Sequence, residues 1–173
     1  MRKPENVNPL AAALRMLARR SYSVAELRRA LEKKFGETQG VSDAIARLRQ
    51  VGYLDDKKFA AQAASSLARN RALGGYRIRR ELKAKLVDHK YIDPAIDQAF
   101  EDTSERQLLE SVLEKKLRTL KLPLTRTKLY SLCQSLMRRG FRSDDIMKAV
   151  RSRPELQPVA VQVDPEALSE DNE

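Results

Sequence analysis

The chain is poor in the residues that build metal centres, disulfide frameworks and many-turned β folds. Its 173 residues include one cysteine, one histidine and no tryptophan. A single cysteine excludes an internal disulfide and suits a reducing compartment. With only one histidine beside it, little remains for a soft-metal site, and no cofactor is expected. Six glycines and seven prolines are too few for a β-sandwich, whereas abundant Ala, Leu, Arg, Lys and Glu favour helix. No uncharged apolar stretch approaches the roughly 18 residues of a membrane span. The opening Met1-Arg2-Lys3-Pro4-Glu5-Asn6 lacks the apolar run of a signal peptide. These absences leave a soluble, helical, cytoplasmic protein, with no membrane partner expected. Its apolar fraction of 42% is enough to bury cores.

Charge of one sign dominates. The formal net charge is +10, and its distribution is uneven. Residues 1–153 carry all 34 Lys and Arg against 18 of the 24 acids, while residues 154–173 carry six acids and no base. A basic body with an acidic tail points to a polyanionic partner such as nucleic acid. The tail, with Pro154, Pro158 and Pro165, reads as disordered and as a competitor for the basic body.

The sequence also repeats itself. Ser42-Asp43-Ala44-Ile45, Asp93-Pro94-Ala95-Ile96 and Ser143-Asp144-Asp145-Ile146 each read as an N-cap with Ile three residues on, 51 and 50 residues apart. Upstream of each runs an amphipathic stretch: Val24, Leu27, Leu31 and Phe35; Ile78, Leu82 and Leu86; Leu129, Leu132 and Leu136. Spacings of three and four put each set on one helical face. Three further starts, at Asn8-Pro9, Asp55-Asp56 and Thr103-Ser104, are 47 and 48 residues apart. Asn8 is expected to cap with Pro9 at the first helical position, Ser23 with Glu26 forms a capping-box pattern, and Asp55 caps the fourth helix. The fold class is therefore all-α, with three tandem three-helix repeats in an elongated or curved array. The repeats span residues 1–54, 55–102 and 103–153, followed by the tail at 154–173. Each unit of about 50 residues buries a marginal core alone, so neighbours should pack end to end.

Catalytic signatures are largely missing: there is no phosphate-cradling glycine loop, no nucleophile elbow and no Cys/His cluster. Asp55-Asp56 and Asp144-Asp145 read as cap and first-turn acids, His89 as a surface residue in a polar link, and Cys133 as a core thiol beside Leu129, Leu132 and Leu136. The protein is not expected to be an enzyme. Its basic clusters are the stronger signal. Between Arg69 and Lys85 stand seven bases (Arg69, Arg71, Arg77, Arg79, Arg80, Lys83 and Lys85) against Glu81 alone, flanking Gly74-Gly75-Tyr76. The helix start after that connection offers backbone N–H groups to an anion. Further clusters are Arg15, Arg19 and Arg20; Arg28, Arg29, Lys33 and Lys34; Lys115, Lys116 and Arg118; and Arg138, Arg139 and Arg142. Tyr22, Tyr53, Tyr76, Tyr91 and Tyr130 sit near helix ends, where the reading as staples and core plugs is preferred to stacking on single strands. Helix-turn-helix binding to an operator is the alternative, though no unit shows a clear base-reading face. A protein-binding helical scaffold without DNA affinity is a third reading.

Two central motifs carry a resemblance. Gly52-Tyr53-Leu54-Asp55-Asp56-x-x-Phe59-Ala60, followed by Gly74-x-x-Arg77-Ile78-x-x-Glu81-Leu82-x-x-Lys85, resembles the RecX regulatory proteins, as does Ser23-x-x-Glu26-Leu27-x-x-x-Leu31 upstream. The resemblance covers about residues 10–152. The chain departs from it at Lys85-Leu86-Val87, where the family often has Lys-Gly-Ile; losing that glycine implies a different helix end. Members of the family bind the RecA recombinase and its filament on single-stranded DNA. They inhibit its ATP hydrolysis, strand exchange and co-protease activity, by blocking filament extension or lodging in the filament groove, and so modulate recombination and DNA repair. The resemblance implies the same partner here. Direct affinity for single-stranded DNA is implied as secondary, with double-stranded DNA after it, and the seven bases from Arg69 to Lys85 are the expected contact surface. The chain is expected to act as a monomer.

Overall fold

A computed structural model describes residues 8–156. Among the described residues there are nine α-helices and one short 3-10 turn, and no strand. The first unit comprises α1 (Pro9–Leu17), α2 (Val24–Phe35) and α3 (Gln39–Gln50); the second α4 (Asp56–Arg71), α5 (Gly75–Ala84) and α6 (His89–Ala99); the third α7 (Glu105–Leu117), α8 (Arg126–Arg138) and α9 (Ser143–Arg151). Each unit closes over its own core. The first gathers Ala13, Leu27, Leu31, Ile45 and Leu48, the second Ala60, Ala64, Ile78, Leu82 and Ile92, and the third Leu109, Leu113, Cys133, Leu136 and Ile146. The extensive helix-on-helix packing lies within units, and the joints between units are made by fewer contacts.

Four starts form as the caps dictate. Asn8 accepts from the Ala11 N–H with Pro9 at the first helical position, Ser23 from Glu26, Asp55 from Lys58, and Ser104 from Gln107 in a complete capping box. The Ser23 box stays half-made, because Glu26 turns its carboxylate to Arg20 at 3.0 Å.

The three repeated Ser/Asp starts are corrected. Helix α3 begins at Gln39 after Thr38, and Ser42 lies inside it. Only the longer helix brings Val41, 1% exposed, into the core with Ala44, Ile45 and Leu48. Helix α6 begins at His89, where Asp88 accepts from the Lys90 N–H at 3.1 Å, so His89 belongs to a helix and not to a link. Burial of Ile92 drives that earlier start, and Pro94 is carried inside the helix on its exposed side. There water can take the carbonyl that a proline leaves unbonded. Helix α9 does begin at Ser143, but as its first turn; the preceding residue is Arg142, and no side chain caps it.

The second helix of every unit ends on a left-handed residue: Gly36 at φ 74°, Leu86 at 57° and Gly140 at 92°. Around Leu86 the Val87 N–H reaches the Leu82 carbonyl at 3.2 Å and the Leu86 N–H that of Lys83 at 2.9 Å, a Schellman ending. The different helix end expected from the missing glycine is thus corrected. Leu86 holds the glycine conformation, at a cost of roughly 1–2 kcal/mol for an L residue.

The beginning of the tail is corrected as well. Pro154–Leu156 forms the 3-10 turn, and Leu156 is fully buried in the third core. Arg153 ties this turn down through Glu110 and, at 3.9 Å, Glu114. The remaining tail, residues 157–173, lies outside the described residues.

Candidate nucleic-acid interface

Helix α5 and its entry organise the basic region. Its first-turn N–H groups are not open to an anion, which corrects the expectation from the sequence. Gly74 N–H donates to the Arg139 carbonyl at 2.9 Å, Tyr76 N–H to that of Gly140 at 3.2 Å, and Gly75 N–H to the Glu105 carboxylate at 2.9 Å. The third unit therefore supplies both the carbonyls and the anion. Burial holds the Glu105 carboxyl above its ordinary range; the Gly75 N–H bond opposes this, Asp145 adds to it, and Arg142 opposes it. Ala72, left-handed at φ 50°, packs its methyl against the third core. The second and third units are thus joined backbone to backbone.

The joint between the first and second units uses different bonds. The Ser23 hydroxyl donates to the Lys85 carbonyl, and the Val24 N–H donates to Asp56 at 2.8 Å. Ser23 is fully buried, and both of its interactions are accounted for by its N-cap role and this contact.

The seven bases do not form one surface. Arg69 pairs with Asp102 at 2.8 Å, Arg77 with Glu81 at 2.8 Å, and Arg79 with Asp93 of α6. The Lys85 ammonium lies 6.0 Å from the centre of the Phe59 ring, and the carbonyl of Arg71 accepts from the Arg139 guanidinium at 3.4 Å. Arg80 and Lys83 project from the exposed side of α5 and, among the described residues, have no ion-pair partner. What the structure brings together is Arg77 and Arg80 from α5 with Tyr76, Met137, Arg138 and Gly140. These line a groove of about 300 Å³ over the joint between the second and third units.

The sequence reading missed that Arg138 lines one groove with α5, because that juxtaposition spans distant segments and has no local signal. It also misjudged the tyrosines. Tyr22 and Tyr91 are partly buried, and the Arg20 guanidinium lies 3.6 Å from the Tyr22 ring centre. Tyr53, Tyr76 and Tyr130, however, stand 67%, 60% and 65% exposed, so the reading as staples and core plugs fails for these three.

The other sequence candidates have structural roles. Asp55 and Asp56 accept from Lys58 N–H and Val24 N–H, Cys133 is a buried thiol held above its ordinary range by desolvation, and the His89 side chain is 94% exposed. Among the described residues no group of three or more His, Cys, Asp or Glu is placed to hold a metal ion, and no helix is long and apolar enough to cross a membrane.

Tandem three-helix units with a basic groove at one joint define a helical-repeat protein. Comparison with known proteins supplies its family. The family descriptions for the first, second and third three-helix domains of RecX match residues 10–48, 55–96 and 104–150. The chain is 35% identical over 139 residues to a regulatory protein RecX of Chlorobaculum tepidum, covering 80% of this chain and 84% of the relative. It is 31% identical over 157 residues to that of Stenotrophomonas maltophilia strain R551-3, covering 89% and 92%. The crystal structure of RecX from Lactobacillus salivarius superposes with a TM-score of 0.70 at 20% identity, over 83% of this chain and 93% of that one, which shows a common fold. The chain belongs to the RecX family of regulatory proteins.

Proposed function

We propose that the chain is a negative regulator of the RecA recombinase, binding RecA and its filament on single-stranded DNA and inhibiting ATP hydrolysis, strand exchange and co-protease activity. Family membership across all three repeats carries this reading. The charge of the body supports it, since a filament offers DNA phosphates to a surface on which Arg80, Lys83 and Arg138 lack carboxylate partners among the described residues. An array of three units can touch more than one filament subunit and gain avidity from several weak contacts. Bridged subunits resist the rearrangements of nucleotide turnover when the array binds one filament state in preference to another. The protein acts without catalytic chemistry of its own, in the cytoplasm, where the recombinase and its DNA are found.

The test is the single-strand-dependent ATPase of a pre-assembled RecA filament, titrated with this protein below filament stoichiometry. A DNA-only binding titration runs alongside at the same salt. Inhibition at concentrations too low to coat the DNA is the expected result. Inhibition only where the naked strand is already saturated would reduce the protein to a competitor for DNA, and would favour a DNA-binding protein that acts without the recombinase.

A further inference from the structure

The groove over the joint between the second and third units combines two chemistries that rarely share a solvated helix face. Its positive groups are Arg77, Arg80 and Arg138, and its apolar groups are the Tyr76 ring, 60% exposed, and the Met137 thioether, 37% exposed. Of the acids at this joint, Glu81 is already engaged by Arg77 at 2.8 Å and Glu105 by the Gly75 N–H at 2.9 Å. Arg80 and Arg138 have no carboxylate partner among the described residues. On α5 the order Tyr76, Arg80, Lys83 follows helical spacings of four and three, so the ring and both cations share one stripe. The frame beneath is fixed. Tyr76 N–H is bonded to the Gly140 carbonyl and Gly74 N–H to that of Arg139, which holds α5 and the end of α8 as one piece. Little ordering therefore remains to be done on binding.

We infer that this groove binds single-stranded nucleic acid, stacking an unpaired base on the Tyr76 ring while the flanking phosphates lie against Arg80 and Arg138. An acidic peptide would satisfy the guanidinium groups and leave the ring and thioether bare. A duplex would satisfy the cations too, but its paired bases present no free face to the ring. An unpaired strand uses both halves at every nucleotide, since every base has a π-face and every linkage a phosphate. The inference deepens the proposed regulation, on which its biological context rests, by assigning the strand contact to the joint between two repeats.

The full chain lends itself to a direct test, because with five tyrosines and no tryptophan its ultraviolet emission reports tyrosine alone. The probe is a short oligothymidylate, with a duplex of the same length and polyglutamate as comparisons. Binding of the single strand should quench part of the emission. Tyr76→Ala should weaken that binding about tenfold and abolish its share of the quench, and Tyr76→Phe should restore the affinity. The pair Arg80→Gln and Arg138→Gln should flatten the dependence of log affinity on log salt by about 0.7 for each phosphate left without its cation. Should Tyr76→Ala prove unfolded by circular dichroism, the Arg80 and Arg138 variants carry the test through the salt slope.

Unchanged affinity and quench in folded Tyr76→Ala overturn the inference. So does an equal loss for duplex and single strand, or polyglutamate bound as tightly as the oligothymidylate. The same variants assayed on RecA filaments separate the two readings. Inhibition of the filament with no Tyr76-dependent strand binding leaves the regulator standing and removes the groove. Tyr76-dependent strand binding with no inhibition leaves the groove standing and removes the regulator.

Discussion

Gly74 and Gly140 meet with no room for a side chain on either. A Cβ on Gly74 would lie 2.5 Å from the Gly140 carbonyl oxygen, and one on Gly140 would lie 2.2 Å from the Arg77 nitrogen. Both obstacles are backbone, and the contact seats α5 against the end of α8, so neither can be relieved by turning a side chain aside.

Gly140→Ala should therefore destabilise the protein by roughly 2–4 kcal/mol, from overpacking together with a left-handed alanine. Gly74, at φ −78°, bears no conformational penalty, and Gly74→Ala should lose about 1–3 kcal/mol from the clash alone. Urea unfolding followed by circular dichroism measures both. The joint should fail first, giving Gly140→Ala an early transition as the third unit separates from the second. A change under about 0.5 kcal/mol in both variants would mean that the units meet more loosely than this contact requires.

Leu86 invites the opposite experiment. It holds φ 57° at a helix end where the first and third units place Gly36 and Gly140. Its side chain is 37% exposed, so little burial is sacrificed by removing it. Leu86→Gly should raise stability by about 0.5–1 kcal/mol, because relief of the left-handed strain exceeds the added freedom of glycine in the unfolded chain. A lower urea midpoint in Leu86→Gly would show that the leucine side chain contributes more than its backbone costs.

Glu105 makes the same joint sensitive to pH. Burial, opposed by the Gly75 N–H bond, holds its folded-state titration above that of the unfolded chain. For an acid shifted upward, the associated stability is fully present below the unfolded pKa and is lost as pH rises through the folded one. Glu105→Gln keeps an oxygen that accepts from Gly75 N–H and removes the charge. The variant should gain stability relative to the parent as pH is raised from about 4 towards neutrality. Glu105→Ala, which removes the acceptor as well, should lie about 1 kcal/mol below Glu105→Gln at every pH. Parallel pH profiles for the parent and Glu105→Gln would show that the carboxylate titrates as it would in water.

These contacts mark where the sequence stops being informative. Asn8, Ser23, Asp55 and Ser104 act as caps within three residues of themselves, and such local chemistry can be read from spacing. Ser42 and Asp93 carry the same chemistry yet lie inside helices, since Val41 and Ile92 had to be buried and pulled the starts upstream. The basic cluster was visible as composition, but its sorting was not. Asp102 and Asp93 neutralise Arg69 and Arg79 from another helix end and another helix, and Glu105 fills an anion site 30 residues away in sequence. Partners at such separations leave no periodic trace. For the same reason Arg138 and Tyr76, 62 positions apart, could not be joined into one groove from spacing alone.

The tail tests how charge in sequence acts on the folded body. Residues 157–173 hold five acids and no base, and as neighbours of a basic array they should compete with DNA for it. Where the chain is cut decides whether the experiment is clean. A chain ending at Arg153 also loses Leu156, which is fully buried in the third core, and should be destabilised by about 2–4 kcal/mol. A chain ending at Leu156 keeps that core and the Arg153–Glu110 pair while removing the five acids. It should melt like the parent and bind oligothymidylate more tightly at low salt, with the gain fading as ionic strength screens the tail. Equal melting of the two shortened chains would show that Leu156 does not anchor the third unit. Equal strand affinity of the parent and the chain ending at Leu156, at low salt, would show that the acids do not reach the basic surface.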